Sequence, residues 1–155
     1  MAFSPSSPIT GATVPDLSSP TYTITADNAP DFNGKQYYVS TLGGTQTGVS
    51  VHSVANPFTM AMFKPKVVAI LSPVNPVTGQ LPSVPMNRWS INVRKGMIPL
   101  ANQPARVGVC RVYFDIPAGA DAADKNSLEA LVSCVGGLLF ANASGIATTI
   151  LTNSV

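Results

Sequence analysis

Between Thr21 and Ile116 polar and apolar residues alternate over several short runs, the period of two that a half-buried strand imposes. Thr21-Tyr22-Thr23-Ile24-Thr25 and Gln36-Tyr37-Tyr38-Val39-Ser40 are the first two. Asp27 to Gly34 lies between them and carries Pro30 and Asn33-Gly34, which is turn chemistry, so the pair predicts a hairpin. Gly48 to Val54 alternates loosely and predicts a third strand, stopped at Asn56-Pro57. In Phe58 to Phe63, Phe58, Met60 and Met62 share one face while Thr59, Ala61 and Phe63 share the other, and Lys66 to Leu71 extends this strand past Pro65. Ser72 to Asn87, with four prolines, reads as a long exposed connection.

The two strands that follow are the cleanest. Arg88, Ser90, Asn92 and Arg94 fall on one face, and Trp89, Ile91 and Val93 on the other. Arg106 to Ile116 puts Cys110, Val112, Phe114 and Ile116 on an apolar face opposite Val109, Arg111 and Tyr113, and Pro117 stops it. One apolar face and one basic, polar face is the pattern of an antiparallel sheet covered on one side. The C-terminus supplies a cover. Asp121 or Asp124 can cap a helix whose Leu128, Leu131, Val132, Val135, Leu138 and Leu139 form a continuous stripe. Gly136-Gly137 inside it suggests a bend or a close backbone approach, and Ser144 is placed to cap a second helix carrying Ile146, Ile150 and Leu151. Strands followed by two helices predict an α+β fold. Residues 1–20, with Pro5, Pro8, Pro15 and Pro20, read as an arm or edge-wrapping extension ahead of one domain at 21–155, with strands in 21–117 and helices in 121–152.

Composition changes the picture from a fold to an assembling fold. Charged residues are 10% of the 155 and hydrophobic ones 45%, against about 25% charged in an ordinary soluble domain. Disorder is excluded, and so is a highly solvated monomer, because part of the outside must be apolar and such surface marks association. The charges are also segregated. No acid lies from Phe32 to Phe114, a stretch holding Lys35, Lys64, Lys66, Arg88, Arg94, Lys95, Arg106 and Arg111. Two readings stand side by side: a polyanion offsets this repulsion, or acidic segments neutralise it across the fold.

Catalytic patterns find no support. His52, the only histidine, sits in a predicted strand with no acid or cysteine at triad or metal-ligand spacing, and no Gly-rich phosphate loop is present. Cys110 and Cys134 read as buried free thiols, with a disulfide as the alternative. The start lacks a secretory pattern, and the apolar run Leu128–Ala143 is too short and interrupted for a membrane span.

Val109-Cys110-Arg111-Val112-Tyr113-Phe114-Asp115-Ile116-Pro117, leading to Leu128-Glu129-Ala130-Leu131 and Gly137-Leu138-Leu139, resembles the coat proteins of single-stranded RNA bacteriophages, the leviviral type. Asn56 to Met62 and Arg88 to Val93 resemble the central strands of that family. The resemblance implies an N-terminal β-hairpin, a five-stranded antiparallel sheet and two C-terminal α-helices. It further implies an interlocked homodimer with a continuous ten-stranded sheet, each subunit's helices lying over its partner's sheet. Such dimers build an icosahedral shell around genomic RNA in the bacterial host cytoplasm, and the inward sheet face binds an RNA hairpin that represses translation. Carried onto this chain, the RNA-binding set is Thr59, Lys64, Lys66, Arg88, Ser90, Asn92, Arg94, Arg111 and Tyr113. The dimer interface is Leu128, Leu131, Val132, Val135, Leu138 and Leu139. The family's stacking aromatic falls at Val109, a departure, and the 1–20 arm and 72–87 loop are longer than the family's usual ones. The partners implied are a second copy and single-stranded RNA, with no cofactor, metal or membrane. The alternative is a strand-rich phage decoration or fimbrial module without RNA binding.

Overall fold

A computed structural model describes residues 3–154; Met1 and Ala2 of the arm and Val155 lie outside the described residues. Six strands form one antiparallel sheet in chain order: β1 (Ile9–Thr10), β2 (Leu17–Asp27), β3 (Gly34–Gln46), β4 (Phe58–Phe63), β5 (Met86–Met97) and β6 (Arg106–Pro117). Three helices follow: α1 (Ala120–Ala123), α2 (Lys125–Ala141) and α3 (Ala143–Thr152). The α+β expectation is met. The expected hairpin is present as β2 and β3, but it is part of one six-stranded sheet rather than ahead of a five-stranded one: Tyr38 faces Thr25 on β2 and Thr59 on β4.

Residues ahead of β2 run back along it. Ile9 and Thr10 pair with Tyr22 and Thr21, Gly11 N–H donates to Pro20 O, and the Ile24 N–H donates to Ser7 Oγ at 3.1 Å. Phe3 meets Tyr37 edge-on. On β3, Gly44 adopts φ +74, and a Cβ there would run into the Ser19 carbonyl, so the bulged pairing of β2 with β3 needs glycine at this position.

Two predicted strand segments are loops. Residues 48–54 form no strand: β4 is too short to reach the outer half of β3, and the loop takes its place, His52 N–H donating to Val39 O. His52 is structural, its Nδ1 accepting from Phe58 N–H at 3.0 Å. Residues 66–71 do not extend β4 past Pro65 either. The segment is held instead by Asn87, whose side chain bonds both the N–H and the C=O of Ala69 at 2.8 and 2.9 Å.

The helices depart further from expectation. Asp124 caps α2, accepting from Ser127 N–H, but Asn142 rather than Ser144 precedes α3. The chain bends by 61° between α2 and α3, while Gly136-Gly137 lie inside α2, where an added Cβ would find open space among the described residues. No residue of any helix is buried, so the helices do not cover their own sheet. Among the described residues, apolar side chains out of solvent are few: Pro20, Ile24, Val39, Ala61, Ile116 and Ala118. Cys110 and Cys134 are free, but exposed rather than buried, because they lie on surfaces the single chain leaves open.

Candidate nucleic-acid interface

Cross-strand partners share a face of a sheet, so the register sorts the side chains. Pairs Thr59↔Arg94, Ala61↔Asn92, Phe63↔Ser90, Asn92↔Arg111, Ser90↔Tyr113 and Arg88↔Asp115 build one face. Thr59, Arg88, Ser90, Asn92, Arg94, Arg111 and Tyr113 therefore come together on it. Thr59 is buried between its strand neighbours, Ser90 and Asn92 are half-buried, and the arginines and Tyr113 are exposed. Asn92 Oδ1 is shielded from solvent without a hydrogen-bond partner among the described residues.

Lys64 and Lys66 are not part of that group. Both lie beyond the end of β4; Lys64 borders a hollow with Phe32, Met62 and Trp89 on the apolar side, and Lys66 pairs with Asp31 at 3.1 Å. The segregated charge is thus partly neutralised across the fold, as one of the two readings expected. Among the described residues, Arg94 and Arg111 have no acidic partner.

Sequence reasoning missed Asp115. Its carboxylate stands directly opposite Arg88 and accepts a bidentate pair, Nε–Oδ1 2.6 Å and Nη2–Oδ2 2.8 Å, while the guanidinium lies 5.1 Å from the Tyr113 ring centroid. The Arg88 hydrogen bonds hold the Asp115 carboxyl below the usual carboxylate range, against a smaller opposing effect of desolvation. The alternation that placed Arg111 and Tyr113 on this face places Asp115 there too.

The opposite face carries Trp89, Ile91, Val93, Val112, Phe114, Met60 and Met62, half-buried at most. Between it, the 68–71 segment and the first turns of α2 runs an apolar groove of about 490 Å³, bordered by Met62, Leu71, Trp89, Phe114, Leu128 and Val132. The predicted interface residues of α2 lie beside or beyond this groove, Leu128 and Val135 partly covered and Leu131, Val132, Leu138 and Leu139 exposed. Among the described residues no cluster of three metal-ligating side chains occurs, and no single helix is long and apolar enough to cross a membrane.

No protein-family model and no curated protein matches the chain. Among solved structures, it is similar to the virus-like particle of bacteriophage ESE020, at 42% identity and a TM-score of 0.95, over 99% of this chain and 100% of that one. A likeness in fold extends to the virus-like particle of Beihai levi-like virus 32, at 14% identity and a TM-score of 0.52, covering 86% of this chain and 88% of the other.

Proposed function

The chain belongs to the leviviral coat-protein family, and we propose that two copies interlock into a dimer that assembles into an icosahedral shell around single-stranded genomic RNA. A coat protein is a structural component of the virion and not an enzyme. The carrying observation is a pair of unpartnered surfaces in one chain: helices without a buried residue, and a sheet whose apolar face is left half open. A second copy supplies each with the other, burying Leu128, Leu131, Val132, Val135, Leu138 and Leu139. Association of this kind follows from apolar area, about 25 cal/mol per Å² removed from water. Strand β6 is the long one of the sheet's two edge strands, β1 being two residues, and pairing with its symmetry mate closes that edge and gives a continuous sheet across the dimer.

The polar face then looks inward. Arg94 and Arg111 carry uncompensated charge for phosphates, and Thr59, Ser90 and Asn92 offer hydroxyl and amide groups to unpaired bases. An RNA hairpin bound here would repress translation and mark the genome for packaging. The test is expression of the full chain in bacteria, followed by sizing with absorbance at 260 and 280 nm and negative-stain imaging. Uniform round particles rich in 260 nm absorbance are expected. A small species free of nucleic acid would overturn the shell and its RNA content together.

A further inference from the structure

We propose that Asp115 is a specificity-determining residue of the polar face: it withdraws Arg88 from phosphate binding and makes that end of the face a neutral patch that receives an unpaired base. The inference rests on the RNA-facing reading above and deepens it.

Arg88 and Asp115 are direct cross-strand partners, and the fork of the guanidinium is already filled by a carboxylate in the bidentate geometry a phosphate would use. A phosphate can take that place only by expelling Asp115 and leaving an unpaired anion beside an incoming polyanion. The pair is net neutral, so it releases no counterion on RNA binding. Arg94 stands six residues along β5 from Arg88, about 20 Å at strand spacing, and Arg111 lies opposite Asn92 between them. Backbone contacts therefore belong to the Arg94–Arg111 end.

What the Asp115 end offers is different chemistry. Each carboxylate oxygen takes one bond from Arg88 and keeps room for a second donor. Carboxylates accept from an exocyclic amino group such as cytosine N4. Tyr113, exposed and two residues from Asp115, presents a ring for stacking at the same end. Uracil differs from cytosine in lacking the amino donor, so the two pyrimidines isolate this contact.

Dissociated full-length protein titrated with fluorescein-labelled poly(C) and poly(U) over a salt series tests the inference. The unaltered protein is expected to bind poly(C) more tightly than poly(U). Asp115→Asn should erase that preference, bind poly(U) several-fold more tightly than the unaltered protein, and steepen the log–log salt slope by about 0.7, one added phosphate contact on a single strand. Arg88→Gln should leave the slope unchanged, whereas Arg94→Gln should flatten it by about 0.7. An unaltered protein indifferent to the two polymers, an Asp115→Asn protein with the original slope, or an Arg88→Gln protein with a flattened one would each overturn the inference. Salt-independent binding by the unaltered protein would instead sink the RNA-facing reading itself.

Discussion

Asp115 and Asn87 show how single side chains act here through what they hold. Asn87 is buried and ties the backbone of Ala69 at both polar groups, pinning the 66–71 segment over the apolar face. Asn87→Ala leaves two backbone groups without their partner, a loss of about 1–3 kcal/mol. Urea unfolding should show it; a change below about 0.5 kcal/mol, the usual range for a surface substitution, would mean that the segment is anchored elsewhere. The Arg88–Asp115 pair is exposed, so its contribution to stability is small. Its sign with pH is nonetheless definite. The folded carboxyl lies below its unfolded value, so the contribution is complete above the ordinary carboxylate range and is lost as pH falls through the lowered value. The melting-temperature gap between the unaltered protein and Asp115→Asn should shrink on acidification, and a gap that widened would contradict this assignment.

Among the elements, the N-terminal arm and α2 make opposite demands. Residues 3–11 attach to β2 and β3 through the β1 pairing, the Ser7 bond to Ile24 and the Phe3–Tyr37 contact, all at the sheet edge far in strand order from β6. Deleting Ala2 to Pro15 is expected to leave the dimer intact on sedimentation while lowering particle yield or heat stability. Unfolding of the dimer would assign the arm to the core instead. In α2 the stripe is only partly covered by its own chain and Leu131 and Leu138 are exposed, so Leu131→Asp or Leu138→Asp should abolish the proposed dimer. A variant that still sedimented as a dimer would move the interface off this helix.

At the scale of the whole molecule, few apolar residues are buried within one chain. In the proposed dimer the second copy buries the rest, folding and association become one reaction, and the unfolding midpoint is expected to rise with protein concentration. A midpoint independent of concentration over a hundredfold range would indicate a self-sufficient monomer. Family membership decides between the alternatives the sequence left open, for a coat protein against a decoration or fimbrial module.

Strands β5 and β6 were legible in the sequence because their alternation is strict and their two faces differ in chemistry: Trp89, Ile91 and Val93 against Arg88, Ser90, Asn92 and Arg94. The Asp124 cap and the leucine stripe of α2 were legible for the same local reason. Residues 48–54 were misread because alternation cannot tell a strand from a loop that fills the gap left by a short neighbour. Lys66 and Arg88 looked free because their acids, Asp31 and Asp115, lie far away in sequence and meet them only in the folded chain. In the sequence by itself, local period and capping were enough to place β2 to β6, α2 and α3 and to give the sheet two unlike faces, but not to exclude strands at 48–54 and 66–71 or to find β1. Tertiary structure decided which arginines keep their charge and that the helices leave their own sheet uncovered, since both depend on contacts between residues distant in the chain.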